Sequence, residues 1–103
     1  PGDKGIVELW FGSRKLVGLA GDDAQSRADA TVKRLNDFFD KTPAIYELDK
    51  EDNNVVWNHQ TLIALTPQDA LAAKVSQPEL VNLTYRSMQA ALYTLSNRIW
   101  EHL

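Results

Sequence analysis

The stretch TLIALTPQDALAAKVSQPEL, residues 61–80, decides the second half of the fold because an apolar strand is followed by two helix starts. Thr66 has the side chain of an N-cap, Pro67 suits the first helical position, and Asp69 can reach back to complete a capping-box-like pair. Ser76 repeats the N-cap signal about ten residues later. The stretch therefore predicts a short helix followed by a second helix that continues through the remaining sequence.

The sequence upstream predicts two β-hairpins with a helix between them. Alternating apolar positions in residues 6–19, interrupted by Gly12-Ser13, indicate the first hairpin. A 3.6-residue period across residues 24–39 indicates an amphipathic helix, and residues 45–65 form the second hairpin around an Asn53-Asn54 turn. We therefore expect an α+β fold in the order ββαββαα, in which both hairpins form one antiparallel sheet and the helices pack on one face.

The helix periods also predict which side chains form the core. In the first helix, capped by Asp22 or Asp23, the apolar face consists of Ala24, Ala28, Val32, Leu35 and Phe39. In the last helix it consists of Leu80, Leu83, Ala91, Leu92, Leu95, Ile99 and Leu103. From these two faces we expect the following residues to be buried: Val32, Leu35, Leu92 and Leu95.

Composition limits the classes of function. The 103 residues suffice for a single domain, residues 1–103, with a polar leader at residues 1–5. A net charge of -3 without a basic stripe argues against nucleic acid as a partner. The chain lacks cysteine, which excludes disulfides and thiolate chemistry, and it lacks an apolar run of about 20 residues, so we expect no direct membrane insertion.

The acidic turn in the second hairpin is a candidate cation site. Asp49, Glu51 and Asn53 offer oxygen ligands of the kind that Ca²⁺ prefers, but their register does not match an EF-hand loop. A solvated turn is the favoured interpretation, because charge clusters are usually exposed. We therefore expect neither a metal nor another cofactor.

Catalysis is not the favoured function. His59 lies on a predicted strand without an identifiable partner, and no serine stands in a recognisable Ser-His-Asp arrangement. A general acid, base or nucleophile needs positioned partners, so the sequence predicts that the protein is not an enzyme. Trp10, Trp57 and Trp100 are interpreted as core residues rather than as an interface, because aromatic side chains dominate core energetics.

The last helix is longer than the domain it belongs to. About 26 residues at 1.5 Å each give roughly 39 Å, whereas a 20-residue helix already spans a small domain. Ile99, Trp100 and Leu103 are therefore expected to overhang it, in a helix end, residues 96–103, that leads to further sequence. We expect these three residues to form an interface, either with a second copy of the chain or with the rest of the same protein.

Several segments together resemble a known family. Gly12-Ser13-Arg14-Lys15-Leu16, Arg27-Ala28, Arg34-Leu35 and Thr66-Pro67-Gln68-Asp69-Ala70, followed by a leucine-rich helix, are similar in order and spacing to the N-terminal extramembrane domain of cyanobacterial mechanosensitive ion channels of the small-conductance type. The resemblance implies an extracytoplasmic, periplasmic domain that precedes the transmembrane helices of a symmetric oligomer. It also implies a non-catalytic sensory or interaction function, with the remainder of its own membrane protein as a partner. The alternative is a stand-alone periplasmic module for small-ligand binding or dimerisation.

Overall fold

The computed structural model describes the backbone of residues 6–41 and 47–101, and the side chains of these residues as far as Thr94. The elements follow one another as β1 Ile6–Phe11, β2 Arg14–Ala20, α1 Ala24–Asp40, β3 Leu48–Glu51, β4 Asn54–Trp57, β5 Gln60–Ala64, α2 Pro67–Ala73 and α3 Gln77–Glu101. The α+β class and the order of hairpin, helix, hairpin and two helices are confirmed.

The described strands form two sheets rather than a single one. Strands β1 and β2 pair as an antiparallel hairpin, and the second sheet has the order β3-β4-β5. The return arm of the second hairpin is two strands because Asn58 and His59 have φ angles of 52° and 66° and turn the chain again. The turn between β3 and β4 is Asp52-Asn53, one residue earlier than predicted, and Asp52 has the positive φ of 56°.

A bulge shifts the register of the first hairpin. Leu9 lies opposite Val17, whereas the next residue, Trp10, lies opposite Lys15. Leu16 is therefore the extra residue, and it lies on β2. The predicted hairpin is correct in extent, but this irregularity leaves β1 as the regular strand of the pair.

Helices α1 and α3 hold the two sheets together. Helix α1 contacts β1, β2 and β5, while α3 contacts β2, β3 and β4. The largest fully buried apolar side chains come from both sheets and both helices: Phe38, Leu19, Ile63, Met88, Leu92, Val55 and Val56. One core therefore underlies both sheets.

The predicted core is partly correct. Leu35 and Leu92 are buried as expected, but Val32 is 43% exposed and Leu83 is 44% exposed. The prediction for Leu95 falls outside the described side chains. In α1 the buried face contains Thr31 in place of Val32, because the Thr31 hydroxyl donates to the Arg27 carbonyl and accepts from the Arg34 guanidinium.

Helix capping follows the sequence at two of three predicted positions. Thr66 and Asp69 form a capping box, and the Ser76 hydroxyl accepts from the Glu79 backbone N–H. Asp23 occupies the N-cap of α1, but its side chain makes no capping hydrogen bond. The Ser26 hydroxyl donates to the Asp23 carbonyl instead.

Helix α3 contains 25 residues. Neither α3 nor any other helix in the described part of the chain is sufficiently long and apolar to cross a membrane.

Candidate functional site

Asp69 is a fully buried carboxylate at the start of α2. Its Oδ1 accepts hydrogen bonds from the Ala20 backbone N–H at 2.7 Å and from the Arg27 guanidinium at 3.1 Å. Its Oδ2 accepts from Arg27 at 2.7 Å and from the Thr66 backbone N–H at 2.8 Å. The capping box that starts α2 is therefore also a connection to β2 and α1.

Arg27 completes this junction from the first turn of α1. Besides its two-pronged contact with Asp69, its guanidinium donates to the backbone carbonyl of Ala20 at 3.3 Å and to that of Ala64 at 3.0 Å. Ala20 ends β2 in the first sheet and Ala64 ends β5 in the second. A planar guanidinium suits this role because it offers five N–H donors in fixed directions. We call Ala20, Arg27, Ala64, Thr66 and Asp69 the junction.

The junction stabilises the charged forms of the Asp69 and Arg27 side chains. Burial by itself raises the pKa of Asp69, but the hydrogen bonds from Arg27, from the Ala20 N–H and from the Thr66 N–H together hold that pKa below its ordinary value. The pKa of Arg27 is raised, chiefly by its hydrogen bond to Asp69. The pair is therefore a buried ion pair over the whole physiological pH range.

A second arginine extends the connection along α1. Arg34 Nε donates to the Leu62 carbonyl at 3.0 Å, and its Nη2 donates to the Thr31 hydroxyl at 3.1 Å. Thr31 in turn donates to the Arg27 carbonyl at 2.7 Å. Two arginines seven positions apart, on the same side of α1, thus occupy two carbonyl groups of β5.

The chemistry of the junction is structural. A carboxylate has about four lone-pair positions, and the Asp69 carboxylate accepts four hydrogen bonds, all from the protein. Its donors are two backbone N–H groups and one guanidinium, so its lone pairs are used in joining elements. This arrangement ties β2, β5, α1 and α2 to each other.

The acidic turn has a different character, because it is open to solvent. Asp49 and Glu51 line one groove together with His59, whereas Asn53 does not line it. The Asp49 carboxylate accepts from the Lys50 backbone N–H, and Glu51 contacts the His59 ring. No group of three His, Asp or Glu side chains that could hold a metal ion converges within residues 6–41 and 47–94.

His59 was predicted to lie on a strand without a partner, and both parts of that prediction are wrong. It lies in the turn between β4 and β5, and its ring Nδ1 pairs with Glu51. The ring is 83% exposed, so this contact is a surface interaction.

The tryptophans divide between surface and core. Trp10 is 54% exposed, so its assignment to the core is wrong. Trp57 is partly buried, with its ring against Phe38 at 5.3 Å and under Lys41 Nζ at 5.5 Å. The predicted interface residues Ile99, Trp100 and Leu103 lie outside the described side chains.

Sequence reasoning identified the Thr66–Asp69 capping box but not the function of Arg27. The available signal was Arg27 four positions after Asp23, on the same side of α1 as Thr31 and Arg34. That spacing does not identify a partner 42 positions away.

Comparison of the chain with protein-family models, with curated proteins and with solved structures gave no match.

Proposed function

We propose that this chain is a non-catalytic, extracytoplasmic interaction domain of a membrane protein similar to the small-conductance mechanosensitive channels. The observation that carries the proposal is that the segments that resemble the channel family lie together in the fold. Arg27, Arg34, Thr66 and Asp69 all belong to those segments. The hydrogen bonds of Arg27, Arg34 and Asp69 join α1, α2 and both sheets, and Thr66 caps α2. The residues that resemble the channel family are therefore the ones that maintain the shape of the domain.

A domain of this kind acts by transmitting position rather than by chemistry. The first part of α3 is fixed in the core by Leu80, Val81, Met88, Ala91 and Leu92. Its contacts reach both sheets and α2. Because α3 continues as one helix to Glu101, a displacement of the two sheets and α2 moves the helix with them. In the proposed function, a partner that contacts the domain displaces it, and α3 transmits that displacement to the remainder of the membrane protein.

Location in the cell tests the first half of the proposal. An antibody against this domain is used on fractionated source cells, and on spheroplasts treated with protease without detergent. We expect the antigen in the membrane fraction and its loss in intact spheroplasts, while a cytoplasmic marker protein survives. Antigen in the soluble fraction, or antigen that survives until the membrane is lysed, contradicts the proposal.

Coupling through α3 tests the second half. The full-length protein that the source cells encode is purified and reconstituted in liposomes. The pressure threshold of its current is measured in excised patches. Leu92→Ala removes a fully buried contact of α3, whereas Leu83→Ala, at a 44% exposed position on the same helix, serves as the matched control. We expect Leu92→Ala to shift the threshold and Leu83→Ala to leave it unchanged. Equal thresholds for both variants and the wild type, or the lack of pressure-gated current, overturn the channel assignment.

A further inference from the structure

The sheet edges of this protein differ in how they are protected. An edge strand presents unpaired backbone groups to which another strand can add, and proteins block such edges with side chains, charges or covering elements. In the described residues, β1 and β2 each have one free edge in the first sheet, and β3 and β5 are the outer strands of the second sheet.

The end of β2 and the edge of β5 are blocked by the junction and by Arg34. The N–H of Ala20 is bound by Asp69 and its carbonyl by Arg27. On β5, the carbonyls of Ala64 and Leu62 accept from Arg27 and Arg34. These are backbone groups that an added strand would need.

Strand β3 is blocked by its own neighbours. The Tyr85 hydroxyl donates to the Leu48 carbonyl at 3.3 Å, and the Asp49 carboxylate accepts from the Lys50 N–H at 2.7 Å. The strand is only four residues long and is mostly charged, and Lys50 Nζ is held by Asn82 at 2.6 Å. These are devices that prevent strand addition.

In the described part of the chain no side chain is hydrogen-bonded to the outward backbone groups of β1, although Glu8 places one charge on the strand. Ala20 directs both backbone groups away from β1, so the pair that it forms with Ile6 is a non-hydrogen-bonded pair. The alternation of an antiparallel ladder then directs the N–H and C=O of Ile6 and Glu8 away from β2. Because the bulge lies on β2, the alternation continues along β1 to Trp10.

An apolar groove lies between β1 and α1. It has a volume of about 150 Å³ and is lined by Leu9, Trp10 and Phe11 from β1 and by Val32 and Phe39 from α1, among others. Trp10 and Val32 are the most exposed of these apolar side chains, at 54% and 43%. An exposed apolar patch beside an open strand edge is typical of an interaction surface.

We propose that β1 is a dimerisation edge, on which the β1 strand of a second copy adds antiparallel to form a continuous four-stranded sheet. A two-fold axis perpendicular to the sheet keeps both α1 helices on the same face, so the exposed Val32 of each copy faces the other. This interface does not involve the end of α3 and does not depend on membrane attachment.

The charges on β1 select a second copy in one register. A two-fold antiparallel pair places one residue opposite its own copy. Centring on Glu8 sets two carboxylates against each other, which is destabilising. Centring on Leu9 places Glu8 opposite Trp10 of the other copy and Val7 opposite Phe11. The first of these pairs matches a contact already made within the chain, where Trp10 Nε1 donates to Glu8 Oε1 at 3.3 Å.

Analytical ultracentrifugation of edge variants tests the interface. Trp10→Glu places a carboxylate opposite Glu8 of the other copy, and Glu8→Pro removes an outward N–H without removing a bond to β2. Leu71→Glu is the matched control, because Leu71 is 79% exposed on α2. We expect a wild-type dimer whose dissociation constant rises about tenfold or more in both edge variants, with unchanged circular dichroism, and a normal dimer in Leu71→Glu. A monomeric wild type, or a dimer insensitive to both edge variants, overturns the proposal.

Single cysteines test the register, because the chain has none of its own. With Leu9 opposite Leu9, two Leu9→Cys residues form a non-hydrogen-bonded pair with Cα atoms about 4.5 Å apart, within disulfide range. Two Glu8→Cys residues are then diagonal neighbours about 7 to 8 Å apart. We expect oxidation to cross-link Leu9→Cys into dimers and to leave Glu8→Cys mainly uncross-linked. The reverse result overturns the register.

Discussion

Arg27 Nη2 lies 2.7 Å from Asp69 Oδ2 although 42 positions separate the two residues in the sequence. The contact closes a long segment of chain that includes all of the second sheet. Because the same two side chains bind the backbone of Ala20 and Ala64, the closure also fixes β2 relative to β5. The separate sheets are thus connected by side chains where no strand pairing connects them.

Asp69→Asn is expected to destabilise the fold by about 3 to 5 kcal/mol, because removing one partner of a buried pair leaves the other charge uncompensated. Asp37→Asn is the control: Asp37 pairs with Lys41 at 3.0 Å, but both side chains are more than half exposed, so its loss should cost less than about 1 kcal/mol. Urea denaturation followed by circular dichroism measures both. Similar midpoints for the two variants contradict the structural role of the junction.

The junction also predicts a loss of stability in acid. The pKa of Asp69 is lowered in the folded protein, so its stabilising contribution is complete above the unfolded value, about 3.9, and is lost as pH falls through the lower folded value. Free energies of unfolding measured from pH 7 to pH 2 should fall at the acid end, and Asp69→Asn should flatten that fall. Glu8→Gln removes an exposed carboxylate whose pKa is lowered chiefly by Lys15. A flattening in Glu8→Gln as large as in Asp69→Asn rules out Asp69 as the main cause.

Core truncations should separate the true helix faces from the predicted ones. Leu35→Ala and Leu92→Ala remove buried side chains and are expected to cost about 2 to 5 kcal/mol each, because a cavity term adds to the lost transfer energy. Val32→Ala, at an exposed position, should change the stability of the monomer by less than about 1 kcal/mol. Thermal unfolding at low protein concentration gives the comparison. A cost for Val32→Ala equal to that for Leu35→Ala would mean that α1 presents a different face.

A separate prediction of self-association concerns Ile99, Trp100 and Leu103, which lie outside the described side chains. Burying each large apolar side chain is worth roughly 1.5 to 3 kcal/mol, so Trp100→Glu should weaken an assembly that uses this surface. Sedimentation at high micromolar concentration distinguishes the two surfaces: dissociation by Trp100→Glu alone supports α3, whereas dissociation by Trp10→Glu alone supports β1. Identical sedimentation of Trp100→Glu and wild type removes the α3 interface.

The order of elements was predictable from the sequence because its signals are local. The period of two in β1 and the capping chemistry of Thr66 depend on neighbours within a few positions. The second turn of the three-stranded sheet was missed, since Asn58-His59 lies within a run of residues that otherwise reads as a strand. Asn tolerates positive φ angles, so Asn58 offered a turn signal, but without a neighbouring glycine that signal was weak.

The junction was only half predictable, since a buried ion pair depends on tertiary position. Asp69 was recognised as a capping residue, but its burial follows from the packing of α2 on β2. The same limit explains why Val32 is exposed and Thr31 is buried, contrary to the predicted face of α1. An apolar side chain at helical spacing predicts a buried face, and a hydroxyl held between Arg27 and Arg34 shifts that face by one position.

The unequal protection of the strand edges also limits the size that an assembly built by strand pairing can reach. A molecule with two open edges is bifunctional, in the sense used for polymerising units, and grows into chains of unlimited length. Side chains bind outward backbone groups at the end of β2 and on β3 and β5, which leaves β1 as the favoured edge, so we expect pairing at β1 to terminate at two copies. In an assembly of this kind Arg34 would limit growth as well as stabilise the fold, because it binds a carbonyl on the β5 edge of the second sheet.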